Sequence, residues 1–286
     1  MSDILKYFRQ NRLPHIWCPG CGHGTATGAL VRAIAKLKLD KNKVVVVSGI
    51  GCSSRAPGYL DFDTLHTTHG RALAFATGIK LSRPDLKVIV LTGDGDCTAI
   101  GGNHFIHAAR RNIDITTIIL NNNIYGMTSG QYSPMTPKGM LGTTAPYGNV
   151  ERCFDLAKLA IAAGATYVGR ATTYHATLLE DLIGKALINK GFSVVEAVDQ
   201  CPTYMGRKNK LGTAVDMLNW LKDRAVNVKA AAVMAPEKLE GKFLVGELYN
   251  QPEPEFTAEY MAMAEQVRRK YDNFQGGVRE CGQNSD

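Results

Sequence analysis

The residues best placed to do chemistry lie in two turns. An apolar run from Val88 to Leu91 ends in Gly93-Asp94-Gly95-Asp96, and a second from Ile115 to Leu120 ends in Asn121-Asn122-Asn123. Two parallel strands joined by a helix bring such ends to one edge of a sheet, where α/β proteins bind ligands. That edge then offers a carboxylate, glycines that let a ligand approach the backbone, and a carboxamide. Asp94 and Asn122 are hard oxygen donors of the kind Mg²⁺ takes, and Mg²⁺ suits a diphosphate. A bare Gly-Asp-Gly is common in turns, and it is the flanking strands and asparagines that set this one apart.

Cysteines supply a second constellation. Cys18-Pro19-Gly20-Cys21 is a CxxC with a tight turn inside it. Cys52 sits in the glycine-rich loop Ser48–Cys52 after the apolar run Val44 to Val47, and Cys201 follows the run Phe192 to Val198. In a parallel sheet those strand ends share an edge, and the CxxC reaches it ahead of the first helix. Four converging thiolates suit Zn²⁺ or an iron–sulfur cluster, and the ligands alone barely separate the two. The CxxC by itself also fits a redox dithiol. Cys97, Cys153 and Cys281 fall outside the pattern and read as ordinary free thiols.

Chemistry weighs between these options. The Gly-Asp-Gly and Asn-Asn pair resembles the thiamine diphosphate (ThDP) motif, and ThDP acts as an electron sink on a 2-oxo acid. A neighbouring one-electron acceptor allows oxidation of what is formed there. Zinc accepts no electrons and a cluster does, so the combination favours 4Fe-4S.

The elements that must position these residues alternate. Helical periodicity runs from Thr25 to Leu39, Leu73 to Leu81, around 103–111, Phe154 to Ala163 and Thr177 to Lys190. Between them lie the apolar runs already named and a short strand, Ala165 to Val168. This predicts an α/β fold with a doubly wound, mostly parallel sheet of the ThDP diphosphate-domain type. Trp17 is expected to pack beneath the loop that follows it. The Gly-, Pro- and Thr-rich loop from Tyr125 to about Asn149 is long enough to be functional. Residues 1–202 form the cofactor-binding domain. Residues 203–286 carry a helix at Thr213–Lys222, irregular chain from Pro236 to Pro254 and a last short helix at Glu259–Tyr271. They are expected to form an arm on a partner subunit, with a tail folded on its own sheet as the alternative.

Composition narrows the function classes. A chain of 286 residues with 29 glycines is large enough to bury a core. No apolar run nears the ~20 residues of a membrane span, and the N-terminus lacks a signal-peptide core. The expected compartment is the cytoplasm, where seven cysteines read as ligands rather than disulfides. The net charge of +7 gathers at Arg207-Lys208-Asn209-Lys210 and Arg268-Arg269-Lys270 without a nucleic-acid motif. Neither nucleic acid nor membrane is indicated, and an acidic protein partner fits that field.

Several stretches resemble the β subunits of 2-oxoacid:ferredoxin oxidoreductases. They are Trp17-Cys-Pro-Gly-Cys-Gly-His-Gly24, Gly49-Ile-Gly-Cys-Ser-Ser-Arg55, His66-Thr-Thr-His-Gly-Arg-Ala72, Gly93-Asp-Gly-Asp96, Gly101-Gly-Asn-His104 and Asn121 through Gln131. The likeness spans about 17–210 and fades beyond. It implies that Cys18, Cys21, Cys52 and Cys201 ligate a 4Fe-4S cluster. It implies that Asp94, Asn122 and the carbonyl of Ile124 hold Mg²⁺. Gly51, Cys52, Ser53, His69, Gly93, Gly95, Asp96, Gly126, Met127, Thr128 and Gln131 then surround the cofactor, His69 with a catalytic part. On the residues alone, Thr128 and Gln131 also fit ordinary loop groups, and His66 with His69 lacks a third metal ligand.

The resemblance also implies what is missing. ThDP enzymes need a glutamate against the aminopyrimidine ring, which in this family sits on a separate domain. One α/β unit has no second copy to supply it, so an α subunit is expected, in an αβ or (αβ)₂ assembly. The implied reaction is reversible, coenzyme A-dependent oxidative decarboxylation of a 2-oxo acid, with electrons passing through the cluster to ferredoxin. Arg55, three residues after Cys52, suits a second substrate carboxylate. That favours 2-oxoglutarate, giving succinyl-CoA and CO₂, over pyruvate or a broad range, and the Gly-Cys-Ser-Ser-Arg form looks like the 2-oxoglutarate branch. A local acid, Asp61 or Asp63, is the rival partner for Arg55. Two other classes stay open: a non-redox ThDP decarboxylase or carboligase with structural zinc, and an electron-transfer subunit that keeps the fold without using the cofactor.

Overall fold

Four consecutive valines make β1 (Val44–Ser48), a strand buried along its whole length. Branched side chains on both faces suit the middle of a covered parallel sheet. β1 pairs in parallel with β2 (Asp63–His66) on one side and β3 (Lys87–Gly93) on the other. β3 pairs with β4 (Ile115–Asn121), β4 with β8 (Ser193–Val198) and β8 with β7 (Tyr167–Thr172), all in parallel. The structure is a computed structural model and describes residues 4–281, with side chains to 272.

Helices cover both faces, as a doubly wound sheet requires. α1 (His23–Lys36) and α5 (Ala176–Ile188) pack on one side through Leu30, Ile34, Leu182 and Ile183. α2 (Ala72–Ser82), α3 (Gly102–Arg110) and α4 (Leu156–Ala163) cover the other through Leu73, Phe105 and Leu156. Asp155 caps α4 by accepting from Lys158 N. The C-terminal ends of β1, β3, β4 and β8 therefore open on one edge, the ligand edge of such sheets. Within the long loop, β5 (Ile124–Tyr125) and β6 (Gln131–Tyr132) form a small antiparallel hairpin.

The chain after Cys201 holds more sheet than the sequence suggests. α6 (Ala214–Arg224) begins with a capping box between Thr213 and Asp216. β9 (Ala225–Asn227) and α7 (Val228–Ala231) follow. Where irregular chain was expected, β10 (Phe243–Asn250) runs antiparallel to β7 and parallel to β9. Up to Asn250 the arm thus extends the chain's own sheet, to eight strands in the order β2-β1-β3-β4-β8-β7-β10-β9. α8 (Phe256–Cys281) is longer than the expected Glu259–Tyr271 and largely exposed where its side chains are described. The side chain of Cys281 lies outside the described residues. Among the described residues no helix is long and apolar enough to cross a membrane.

Candidate active site

At the ligand edge, Asp94 sits just past β3 and is 3% exposed. Its Oδ2 accepts from Ser133 Oγ at 2.5 Å, and no cationic side chain pairs with it among the described residues. Burial pushes its carboxyl up to about 7, although Ser133 pulls the other way. Across the cleft, β4 delivers the asparagine turn. Asn121 Oδ1 accepts from Asn123 N at 3.1 Å, and Asn122 Oδ1 accepts from Ile124 N at 3.3 Å. Asn123 has φ 62°, a left-handed value that asparagine tolerates. Gly95 is required where it stands: a Cβ there would lie 2.2 Å from the ring of Tyr125. The Tyr125 hydroxyl donates to Gly95 O at 3.1 Å, tying the two turns together.

Asp96 lines the cleft and also fastens its edge together. Its carboxylate accepts from His69 Nδ1 (2.5 Å), Gly70 N (2.7 Å), Ile50 N (3.2 Å) and Thr92 Oγ1 (2.6 Å). These donors come from the loops after β1 and β2 and from β3 itself, so Asp96 fastens three strand ends together. With Nδ1 engaged, His69 has Nε2 left for the cleft it lines.

The same cleft has a sulfur wall. Gly126 marks where it closes in: a Cβ there would sit 3.4 Å from Cys52 Sγ and 3.7 Å from Cys201 Sγ. Cys21 N donates to Cys18 O at 3.0 Å, closing the CxxC turn. Gln200 Nε2 donates to Gly20 O at 3.0 Å and pins that turn beside Cys201. Burial pushes the Cys52 thiol up to about 11, and the nearby Cys21, Cys201 and Cys18 add to the shift. Burial also raises Cys201. Cys18 is exposed, whereas Cys97 is buried and Cys153 exposed away from this wall. Trp17 lies beneath it, its Nε1 donating to Cys52 O at 2.7 Å.

Gly51, Cys52, Ser53, His69, Gly93 to Asp96, Asn122, Ile124, Gly126, Met127 and Thr128 all line this one cleft. Gln131 does not. It lies on β6, where its Nε2 donates to Thr128 O and its Oε1 accepts from Thr128 Oγ1. Arg55 is exposed on the turn Ser53–Gly58, outside the cleft lining. Asp61, one rival acid for it, is paired with Lys41. His66 is held by Ser48 Oγ at 3.1 Å, away from His69's partner.

Sequence reasoning missed a buried pair at the junction of the two walls. His23 Nδ1 lies 2.5 Å from Asp199 Oδ2, with side-chain exposures of 2% and 0%. Burial pulls the His23 pKa down, but Asp199 and Cys21 push harder, and the net shift is well upward. Asp199 Oδ1 is buried with no hydrogen-bond partner among the described residues. The signal was there in His23, two residues past the CxxC, but its partner lies at the far end of the sheet sequence. Ser133, the partner of Asp94, left no signal among the hydroxyls of a polar loop.

Comparison with known proteins finds relatives along nearly the whole chain. The family described as thiamine pyrophosphate enzyme, C-terminal TPP binding domain, matches residues 49–197. The 2-oxoglutarate synthase subunit KorB of Methanothermobacter marburgensis is 51% identical over 279 residues, covering 98% of each chain. That of Methanocaldococcus jannaschii is 54% identical, covering 94% of this chain and 99% of its own. In structure, the 2-oxoglutarate:ferredoxin oxidoreductase of Magnetococcus marinus, solved with 2-oxoglutarate, coenzyme A and succinyl-CoA bound, matches with a TM-score of 0.83 at 34% identity. That match covers 93% of this chain and 92% of the other. The chain belongs to the KorB family, the β subunits of the 2-oxoglutarate branch of the 2-oxoacid:ferredoxin oxidoreductases.

Proposed function

We propose that this chain holds the diphosphate end of ThDP through Mg²⁺ and a 4Fe-4S cluster beside it, within a cytoplasmic 2-oxoglutarate:ferredoxin oxidoreductase. The observation that carries the reading is the cleft itself, where Asp94 and Asn122 share the lining with Cys52, and Cys201 lies beside Gly126. Asp94 fits a cation because it is a buried carboxylate with only the Ser133 hydroxyl and local backbone N–H groups to stabilise it. Asn122 Oδ1 and the Ile124 carbonyl complete a hard oxygen set suited to Mg²⁺. Bound there, ThDP supplies the electron sink that lets the bond between the 2-oxo carbon and the carboxylate break.

Oxidising a 2-oxo acid calls for a one-electron acceptor, which a cluster is and a zinc ion is not. A zinc ion draws its sulfurs to about 2.3 Å. Among the described residues no three His, Cys, Asp or Glu side chains close on such a point. Cys52 and Cys201 flank Gly126, and Cys18 and Cys21 lie near enough to act on the Cys52 thiol, so the four could each take one iron of a cubane. The cluster supplies a one-electron acceptor within the cleft wall, and Cys18 at the surface marks the side from which ferredoxin would draw electrons.

The chain's own groups divide the remaining work. Asp96 holds His69 in one orientation, so that Nε2 is offered to the substrate side. Arg55, exposed and without a carboxylate partner among the described residues, meets the distal carboxylate of 2-oxoglutarate in a bidentate pair. Among the described residues no glutamate lines the cleft. The glutamate that ThDP chemistry requires then comes from an α subunit closing over the cleft mouth, with coenzyme A taking the acyl group to give succinyl-CoA.

The test is anaerobic purification with the partner subunit, iron and sulfide analysis, and EPR before and after 2-oxoglutarate, with and without coenzyme A. A substrate-dependent radical or reduced-cluster signal is expected. A colourless, zinc-containing, EPR-silent protein would overturn the redox reading. A response to pyruvate alone would overturn the substrate assignment and leave the chemistry.

A further inference from the structure

Glu196 stands within β8, a strand whose six residues are all buried, and is itself 2% exposed. A carboxylate in such a place is costly unless paired. Both of its oxygens are engaged. Oε2 accepts from Arg170 Nε at 2.6 Å, directly across the β7–β8 pairing. Oε1 accepts from Asn121 Nδ2 at 2.7 Å. Arg170 is anchored in turn, its Nη2 donating to Asp155 Oδ1, the cap of α4, at 2.8 Å.

A buried pair is a weak reason to expect added stability. Replacing a buried ion pair by well-packed apolar residues is often neutral or stabilising. What Glu196 does that a leucine cannot is fix which way the Asn121 amide faces. With Nδ2 bound to Glu196, Oδ1 is left to accept from Asn123 N. That bond holds Asn123 in its left-handed conformation, and the next residue on either side is a proposed metal ligand, Asn122 or Ile124. An amide free to flip would offer a donor to a donor, and the turn would lose its shape.

We propose that Glu196, locked by Arg170, is a positioning residue that sets the asparagine turn so that Asn122 and the Ile124 carbonyl face the metal of the diphosphate. This rests on those two groups being Mg²⁺ ligands, and the experiment separates the two ideas. The intact complex, stripped of ThDP and metal, is titrated with Mg²⁺–ThDP by calorimetry, and its melting temperature is recorded.

Asn121→Ala and Glu196→Ala are each expected to weaken binding about tenfold, the scale of one oriented buried hydrogen bond. Glu196→Gln offers one acceptor to two donors, Arg170 Nε and Asn121 Nδ2, so it should recover only part of what Glu196→Ala loses. Asn122→Ala should weaken binding further than any of them. If Asn121→Ala and Glu196→Ala bind within twofold of native while Asn122→Ala does not, the network is merely structural and the proposal falls. If Asn122→Ala binds as tightly as native, the metal-site reading fails first and takes this one with it. Should Glu196→Ala not fold, Asn121→Ala decides alone, because it leaves the Arg170–Glu196 pair intact.

Discussion

Two buried aspartates at opposite ends of the same sheet show what separates a paired charge from an open one. Asp114 precedes β4 at the edge away from the cleft and is 5% exposed. It is closed off by Lys80 at 2.7 Å, with Lys87 at 3.7 Å. Lys80 is itself finished by the carbonyls of Pro84 and Leu86, at 2.9 and 3.0 Å. Asp94, past the other end of β3, is as deeply buried at 3% and has the Ser133 hydroxyl and local backbone N–H groups, but no cation among the described residues. Burial alone does not distinguish them. The missing cation does, since a buried carboxylate without one is either neutral or waiting for a ligand.

The sharpest way to break this comparison is to remove each carboxylate in turn. Asp94→Ala is expected to weaken Mg²⁺–ThDP binding by about 100-fold or more and to abolish turnover. The metal-free melting temperature should hold or rise, because an uncompensated buried charge has gone. Asp114→Ala should do the reverse, costing about 3–5 kcal/mol of stability, the range for removing one partner of a buried pair. Cofactor affinity in the folded fraction should stay native. Calorimetry and thermal scans on both variants decide it, and equal loss of stability in the two would erase the distinction.

This contrast was only half visible in the sequence. Asp94, Asn122, Cys52 and Cys201 stood out because their types are chemically narrow and each follows an apolar run, and Cys18 and Cys21 stood out as a CxxC. Asp96 shares the motif, yet its four donors arrive from Ile50, His69, Gly70 and Thr92, which only the folded chain brings together. The His23–Asp199 pair joins positions 176 residues apart, and nothing local announces it. β2 escaped notice because an edge strand reading Asp-Thr-Leu-His has no apolar run to show. β10 was hidden by Gly246 at φ 117° and a bulge between Glu247 and Tyr249, which break the alternation that marks a strand.

Open charge also occurs with the opposite sign. Arg55 is exposed and unpaired by any carboxylate among the described residues, as Asp94 is by any cation. Arg55→Met should raise KM for 2-oxoglutarate roughly 10- to 100-fold, the worth of a charged hydrogen bond. It should leave kcat within a few-fold and have no effect on any pyruvate activity. Steady-state kinetics on the complex with both substrates measures this. An equal fall for both would make Arg55 a structural or partner contact instead.

The smallest effect is expected back at the closed edge, and it asks whether Asp114 needs two lysines. Burial pulls the Lys87 amine below its usual range, although Asp114 beside it pulls the other way. Between that lowered value and the ordinary one near 10.5 the folded chain binds fewer protons than the unfolded chain. Stability from this group therefore rises with pH through that alkaline window, and at neutral pH the charged amine is a net cost. Lys87→Met should leave stability at pH 7 unchanged or up to about 1 kcal/mol higher and flatten the alkaline rise, as read by denaturant unfolding at several pH values. A loss above about 1 kcal/mol would mean that Lys80 alone does not satisfy Asp114. The closed edge would then be a three-charge cluster, and the open edge would differ from it by two cations rather than one.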